Sequence, residues 1–192
     1  MQEVLDNENK CLIFISDDPK VIYLRDDFET GNINQECIIP PDLPIVIPSY
    51  TGECDTGSEL GFAATSEEIL KCALDADKGV AQIEVRLDNN EIVNMKGVQV
   101  GQNINTSNLI EVQTDELFEV NVTKGSQYAS FYEKPGTYLA HAHGFLSFLP
   151  NGLPKGNHTL EYSLVVGGSS GGFDINAGYT GYGKIKYDLI VK

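Results

Sequence analysis

The sharpest chemical signal in this chain is a pair of histidines two residues apart, in the stretch Ala140-His141-Ala142-His143. On a β-strand, residues i and i+2 project to the same face about 7 Å apart, close enough for both imidazoles to ligate one transition metal. The third and last histidine, His158, begins the next alternating segment and is the natural candidate for a further ligand if the two strands pair. A cupin-like site would want Glu about four residues after the second histidine, but Ser147 stands there, so a third ligand falls to His158 or to an acid such as Glu161. The opposing expectation is structural. His158 would then be a core histidine bonded to loop backbone, and His141 and His143 would face solvent, alternating with small inward Ala140 and Ala142.

Acidic turns offer a second chemistry. Asp75, Asp77 and Gly79 form one candidate calcium loop and Asp26, Asp27 and Glu29 another, although neither follows the EF-hand spacing. The cofactors these residues admit are therefore calcium, or zinc or copper at the histidines. A third candidate is aromatic. Phe173, Asp174, Tyr179 and Tyr182 lie in the Gly-, Ser- and Tyr-rich stretch Gly167–Gly183, and Tyr128, Phe131 and Tyr132 form a second cluster. Tyrosines beside Asp and Asn are suited to sugar faces; otherwise they plug the ends of a core. Two nucleotide and nucleophile motifs fail. Gly168-Ser169-Ser170-Gly171-Gly172 lacks the helix that a nucleophile elbow requires. Gly178–Lys184 is followed by Ile185 where a P-loop needs Ser or Thr.

The elements that must position these residues are strands. His158, Leu160, Tyr162 and Leu164 alternate with Thr159, Glu161 and Ser163, the pattern of a strand with one buried face. The segment Gly136–Val166 reads as two strands joined by the turn formers Pro150–Gly156. Ala81, Ile83, Val85 and Leu87 alternate likewise, Asp88–Glu91 makes a hairpin turn, and Ile92–Met95 returns. Further strands are expected at Cys11–Ile15, Val21–Leu24, Val98–Val100, Leu109–Val112, Leu117–Thr123 and Lys184–Val191. Four prolines place Cys37–Pro48 at a sheet edge or on a crossing between sheets. Ser49–Gly61 reads as a loop. The one helix starts at Thr65, where Glu68 completes a capping box, and Ile69, Cys72, Ala73 and Ala76 share a face.

Composition agrees. The 192 residues include 19 glycines, no tryptophan and four cysteines, and long apolar helical periodicity is absent. This favours an all-β, two-sheet antiparallel β-sandwich, jelly-roll-like, with one short helix near 66–76, residues 11–192 as a single domain and residues 1–10 as a flexible segment. A net charge of −15 repels phosphate backbones and anionic lipid, which argues against nucleic acid and membrane surfaces as partners. No apolar run reaches the ~20 residues of a membrane span. The even cysteine count pairs Cys11 with Cys37, which bracket the N-terminal unit, and Cys54 with Cys72, on the helix just downstream. Together with the sequons at Asn105, Asn121 and Asn157, this predicts a secreted glycoprotein with its leader removed.

The segments PIVIPSYTGECDTGSE, SEEILKCA, VRLDNNEIV and YLAHAHGFLSFLPNGLPKGNHTLEYSLVV, with the terminal YDLIV, resemble a loose family of uncharacterised secreted proteins from prokaryotes, mainly archaea. The likeness spans about Pro44–Lys192. It implies a jelly-roll-like sandwich outside the cell and no catalytic residues; the histidine of its turn motif falls on His158, and its helix cysteine on Cys72 with Cys54 as mate. The function this supports is non-catalytic, a surface or matrix component or a binding module for glycan or protein, with self-association by strand addition along Lys184–Val191 one route. A metal-binding protein or metalloenzyme built on His141 and His143 is the alternative.

Overall fold

The computed structural model describes residues 2–4, 13–16, 19–24, 33–57, 60, 64–76, 79–96, 106–124, 134–166 and 181–192. Among the described residues, twelve strands and one helix follow in the order β1 (Gln2–Val4), β2 (Ile13–Ile15), β3 (Ile22–Leu24), β4 (Ile33–Ile39), β5 (Ile45–Asp55), α1 (Ser66–Ala76), β6 (Val80–Leu87), β7 (Asn90–Lys96), β8 (Leu109–Gln113), β9 (Phe118–Val122), β10 (Gly136–Leu149), β11 (Gly156–Val166) and β12 (Gly181–Val191). One sheet runs β1-β2-β3-β5-β10-β8, with β9 pairing the first half of β10; the other runs β4-β12-β11-β6-β7. The two layers make a β-sandwich with one short helix.

Alternation places the core. Ile22, Leu24, Ile45, Ile47 and Phe145 from the first sheet meet Ile39, Ile83, Val85, Leu160, Tyr162, Tyr187 and Leu189 from the second, all buried. Burying a side chain of this size contributes about 1.5–3 kcal/mol, so this interface dominates the stability. Tyr162 carries its hydroxyl into the core and donates it to the carbonyl of Ser49 in the opposite sheet. The Ser49 and Ser147 hydroxyls bond each other at 2.6 Å. Every one of these buried polar groups therefore has a partner, as burial requires.

Two crossings between the sheets interlock. The proline-rich segment 40–44 carries the chain from the edge strand β4 into β5, and residues 150–155 carry it from β10 to β11. Asp42 N–H donates to Leu153 C=O at 3.1 Å. Gly152 sits at φ +62°, and a Cβ there would lie 2.3 Å from the Leu43 carbonyl oxygen, so only glycine fits the crossing point. These crossings also explain a difference from the all-antiparallel expectation: β12–β4 and β3–β5 pair in parallel. A strand that reaches its neighbour through the other layer is free to arrive in the same direction.

Other expectations change in detail. Ser49–Asp55, read as loop, continues β5, because β10 is long enough to pair with it all the way to Asp55. The register shifts between Phe145 and Leu146, leaving Ser49 as the extra residue of a bulge beside Pro48, which cannot donate to the ladder. Ala81 is exposed and Val80 buried, since the β11–β6 register slips by one residue between Val165 and Val166. β12 is not an edge strand; β4 and β11 flank it, so Lys184–Val191 offers no free ladder. Within the segment expected to be flexible, Gln2–Val4 pairs antiparallel with Ile13–Ile15. Val98–Val100 lies outside the described residues. The hairpin turn is as expected: Asp88 and Asn89 both take positive φ, 49° and 66°, the turn that matches strand twist.

Candidate functional site

The helix sets the site. Thr65 and Glu68 form the capping box: Thr65 N–H donates to Glu68 Oε2 at 2.8 Å, and Glu68 N–H returns to Thr65 Oγ1 at 3.3 Å. The Thr65 backbone N–H, and then its hydroxyl, hold the Glu68 carboxyl below its usual range. Ile69 and Ala73 are fully buried against Cys54, and a Cys54–Cys72 disulfide ties α1 to the end of β5. Cys54 lies directly across from His141 in the β5–β10 ladder, so the helix covers the face that carries the histidines.

His141 and His143 are consequently buried, at 2% and 3% exposure, and do not face solvent. The expectation of outward histidines fails because it lacked the helix, which turns this end of the strand face into interior. His141 spans two elements. Its Nε2 lies 2.8 Å from Ser66 Oγ at the first position of α1, and its Nδ1 lies 2.9 Å from Thr114 Oγ1 just after β8. Thr114 Oγ1 also accepts the Ala142 N–H at 3.1 Å, while Thr114 N–H donates to Ala142 C=O at 3.0 Å. His143 pairs through Nε2 with Glu111 Oε1 at 3.0 Å and meets Phe145 edge-on with ring centres 5.9 Å apart. An opening of about 300 Å³ adjoins it, lined by Glu111, Val112, Gln113 and His143.

His158 does not join them. It starts β11 in the other sheet, where Nδ1 lies 2.8 Å from Asp88 Oδ2 and Nε2 donates to Pro154 C=O at 3.0 Å. Asp88 Oδ1 accepts the Thr159 N–H at 2.8 Å, so one carboxylate joins the hairpin turn to β11. The Asp88 hydrogen bond raises the His158 pKa against the opposing effect of burial, and the Pro154 carbonyl adds to it. Burial alone would push the Asp88 carboxyl up; the bonds from His158 and Thr159 outweigh it and hold it low. Among the described residues no three His, Cys, Asp or Glu side chains come together as a metal would need.

The remaining candidates are scattered. Phe173, Asp174 and Tyr179 lie outside the described residues, as does the side chain of Tyr182 on β12. So do Tyr128, Phe131, Tyr132, the Asp26–Glu29 turn, Asp77, Asn105 and Cys11. Asp75 pairs with Lys71 one turn earlier. Asn121 and Asn157 are exposed. Cys37 is buried and disulfide-bonded. On the outer face of the second sheet an opening of about 260 Å³ is lined by Glu84, Arg86, Glu161, Ser163 and Lys184, whose charges pair as Arg86 with Glu84 and Lys184 with Glu161 at 3.3 Å. Ser66, Thr114 and Glu111 were not singled out from the sequence. Ser66 was visible only as part of a helix start, and nothing local marks Thr114 or Glu111 as neighbours of the histidines.

No protein-family model matches this chain, and no curated protein matches it significantly. Among solved structures it is similar to the structure of PbICP-C in complex with falcipain-2, at 10% identity and a TM-score of 0.29, covering 90% of this chain and 99% of that one.

Proposed function

We propose that this chain works outside the cell as a disulfide-stapled β-sandwich module, a surface or matrix component or a binder of a partner protein or glycan. The observation that supports this reading best is the bonded state of its cysteines. Cys54 and Cys72 form a bridge, Cys37 is bonded too, and no described cysteine is free. Such bonds persist in oxidising compartments and are rare in the cytosol. The exposure of Asn121 and Asn157 suits glycan attachment there, and the likeness to secreted prokaryotic sandwiches is part of the same proposal.

Of the partners, a second copy joined by strand addition would use β7. It closes its sheet with no further strand beyond it among the described residues, whereas β12 is interior. Glu91, Asn94 and Lys96 stand exposed along it, which disfavours indiscriminate pairing and leaves room for a specific one. The test is expression behind a secretion leader. The protein is expected in the medium, with no alkylatable thiol when denatured without reductant and with glycosidase-sensitive mass at Asn121 or Asn157. Full thiol reactivity of a folded, monodisperse product would refute the extracellular reading.

A further inference from the structure

We infer that Ser66 is an activated hydroxyl, with His141 as its general base and Thr114 as the group that orients the base. This goes beyond the module reading and stands independently of it. Ser66 is exposed on the first turn of α1, while His141 is 2% exposed beneath it. The Oγ–Nε2 distance of 2.8 Å is that of a nucleophile and its base, and the 2.9 Å contact at Nδ1 supplies the third member that fixes the ring. Burial on the strand and two bonded nitrogens leave the imidazole no other orientation.

The tautomer follows from counting hydrogens. Thr114 Oγ1 has two lone pairs and one hydrogen. One lone pair takes the Ala142 N–H, and the hydrogen is directed to Ala142 C=O at 3.4 Å. The second lone pair then accepts Nδ1–H of His141, and Nε2 is left unprotonated to accept the Ser66 O–H. The position of Ser66 at the amino end of an eleven-residue helix favours negative charge developing on its oxygen.

The chemistry assigned is acyl transfer from an ester. Ser66 Oγ bonds to the carbonyl carbon as its proton passes to His141 Nε2. The bond to the alcohol oxygen then breaks, and that oxygen takes the proton from Nε2. Water then bonds to the acyl carbon as its proton passes to His141 Nε2, the bond from that carbon to Ser66 Oγ breaks, and Oγ takes the proton back from Nε2, which releases the acid with Ser66 restored. Glu67 and Glu68 directly follow the serine and the chain carries a net charge of −15, so the substrate class is neutral or cationic esters. Thr114 is uncharged and orients the imidazolium without neutralising it, so turnover is slow, and covalent labelling is the sensitive readout.

The test is reaction with a neutral alkyl fluorophosphonate, followed by peptide mass mapping, on the oxidised full chain. Ser107, exposed and bonded only to its neighbour Asn108 among the described residues, serves as the internal control. Ser66 is expected to label on the order of 10²-fold faster than Ser107, the scale of general-base assistance. Its rate should rise as an imidazole loses its proton and then level, and Ser66→Ala should remove the label. His141→Gln should bring Ser66 to the Ser107 rate. Where that variant does not fold, the pH profile of the natural chain decides alone. Equal labelling at the two serines, or a rate that climbs in proportion to hydroxide through pH 9, would overturn the assignment.

Discussion

Replacing Asp88 by asparagine should cost stability in acid and almost none in base. The substitution keeps the shape. Asn tolerates the positive φ of 49° at this turn position, and its amide oxygen can still accept the Thr159 N–H. What it removes is the negative charge 2.8 Å from His158 Nδ1. The His158 side chain is 15% exposed, but that of Asp88 is 44% exposed, so water screens the pair and the exposed-pair range applies. The expected loss is about 1 kcal/mol when both groups are charged. His158 has a raised pKa in the folded state, so its contribution is complete below the ordinary imidazole value of about 6.5 and disappears as pH rises through the folded value. Asp88 has a lowered pKa, so its share is present above the ordinary carboxylate range and is lost as pH falls through its folded value. The window of full effect lies between these limits. Urea unfolding without reductant, at about pH 5.5 and about pH 8.5, measures both ends. Asp88→Asn should lower the midpoint at the acid end with an unchanged slope, and nearly match the natural chain at the alkaline end. Equal losses at the two pH values would show that Asp88 acts only through the turn, and would refute the charge coupling.

Three further outcomes follow from the packing. Replacing both Cys54 and Cys72 by alanine opens a link with a sequence separation of 18, which costs about 3 kcal/mol on loop entropy and should lower the unfolding midpoint accordingly. Gly152→Ala must place a Cβ 2.3 Å from Leu43 O at a positive φ, so a loss of at least about 2 kcal/mol is expected by denaturant titration; a silent substitution would mean that the two crossings separate easily. Tyr162→Phe removes the hydroxyl bonded to Ser49 C=O while leaving the ring in place, and should cost about 1–2 kcal/mol in thermal or urea unfolding.

The layers of this fold were legible because they depend on alternation, a local property. The β11 pattern from Leu160 to Leu164, the turn at Asp88 and Asn89, and the capping box at Thr65 and Glu68 each state their conformation within a few residues. So does the Cys54–Cys72 bridge, once Cys72 is placed on the buried side of α1. The failures are of another kind. Ser49–Asp55 follows Pro48, carries Gly52 and acidic residues and looks like loop; it is a strand because β10 pairs with it as far as Ala140 opposite Asp55. The slip that buries Val80 and exposes Ala81 is decided by β11, more than eighty residues away. Parallel neighbours are likewise a matter of which sheet a crossing delivers the chain to, which no local pattern records.

The histidine pair shows why such errors matter most at a site. Strand periodicity puts His141 and His143 on one face, and says nothing of what lies over that face. A buried pair must find hydrogen-bond partners inside the protein, because an unpaired buried ring nitrogen is costly. The helix answers for His141 with Ser66, the residue after β8 answers with Thr114, and β8 answers for His143 with Glu111. Ser66 is 75 residues from His141 and Thr114 is 27. The burial of His141 beneath the helix orients its Nε2 at one exposed hydroxyl, so the chemistry inferred for this face involves the serine that the helix brings to it as well as the histidine.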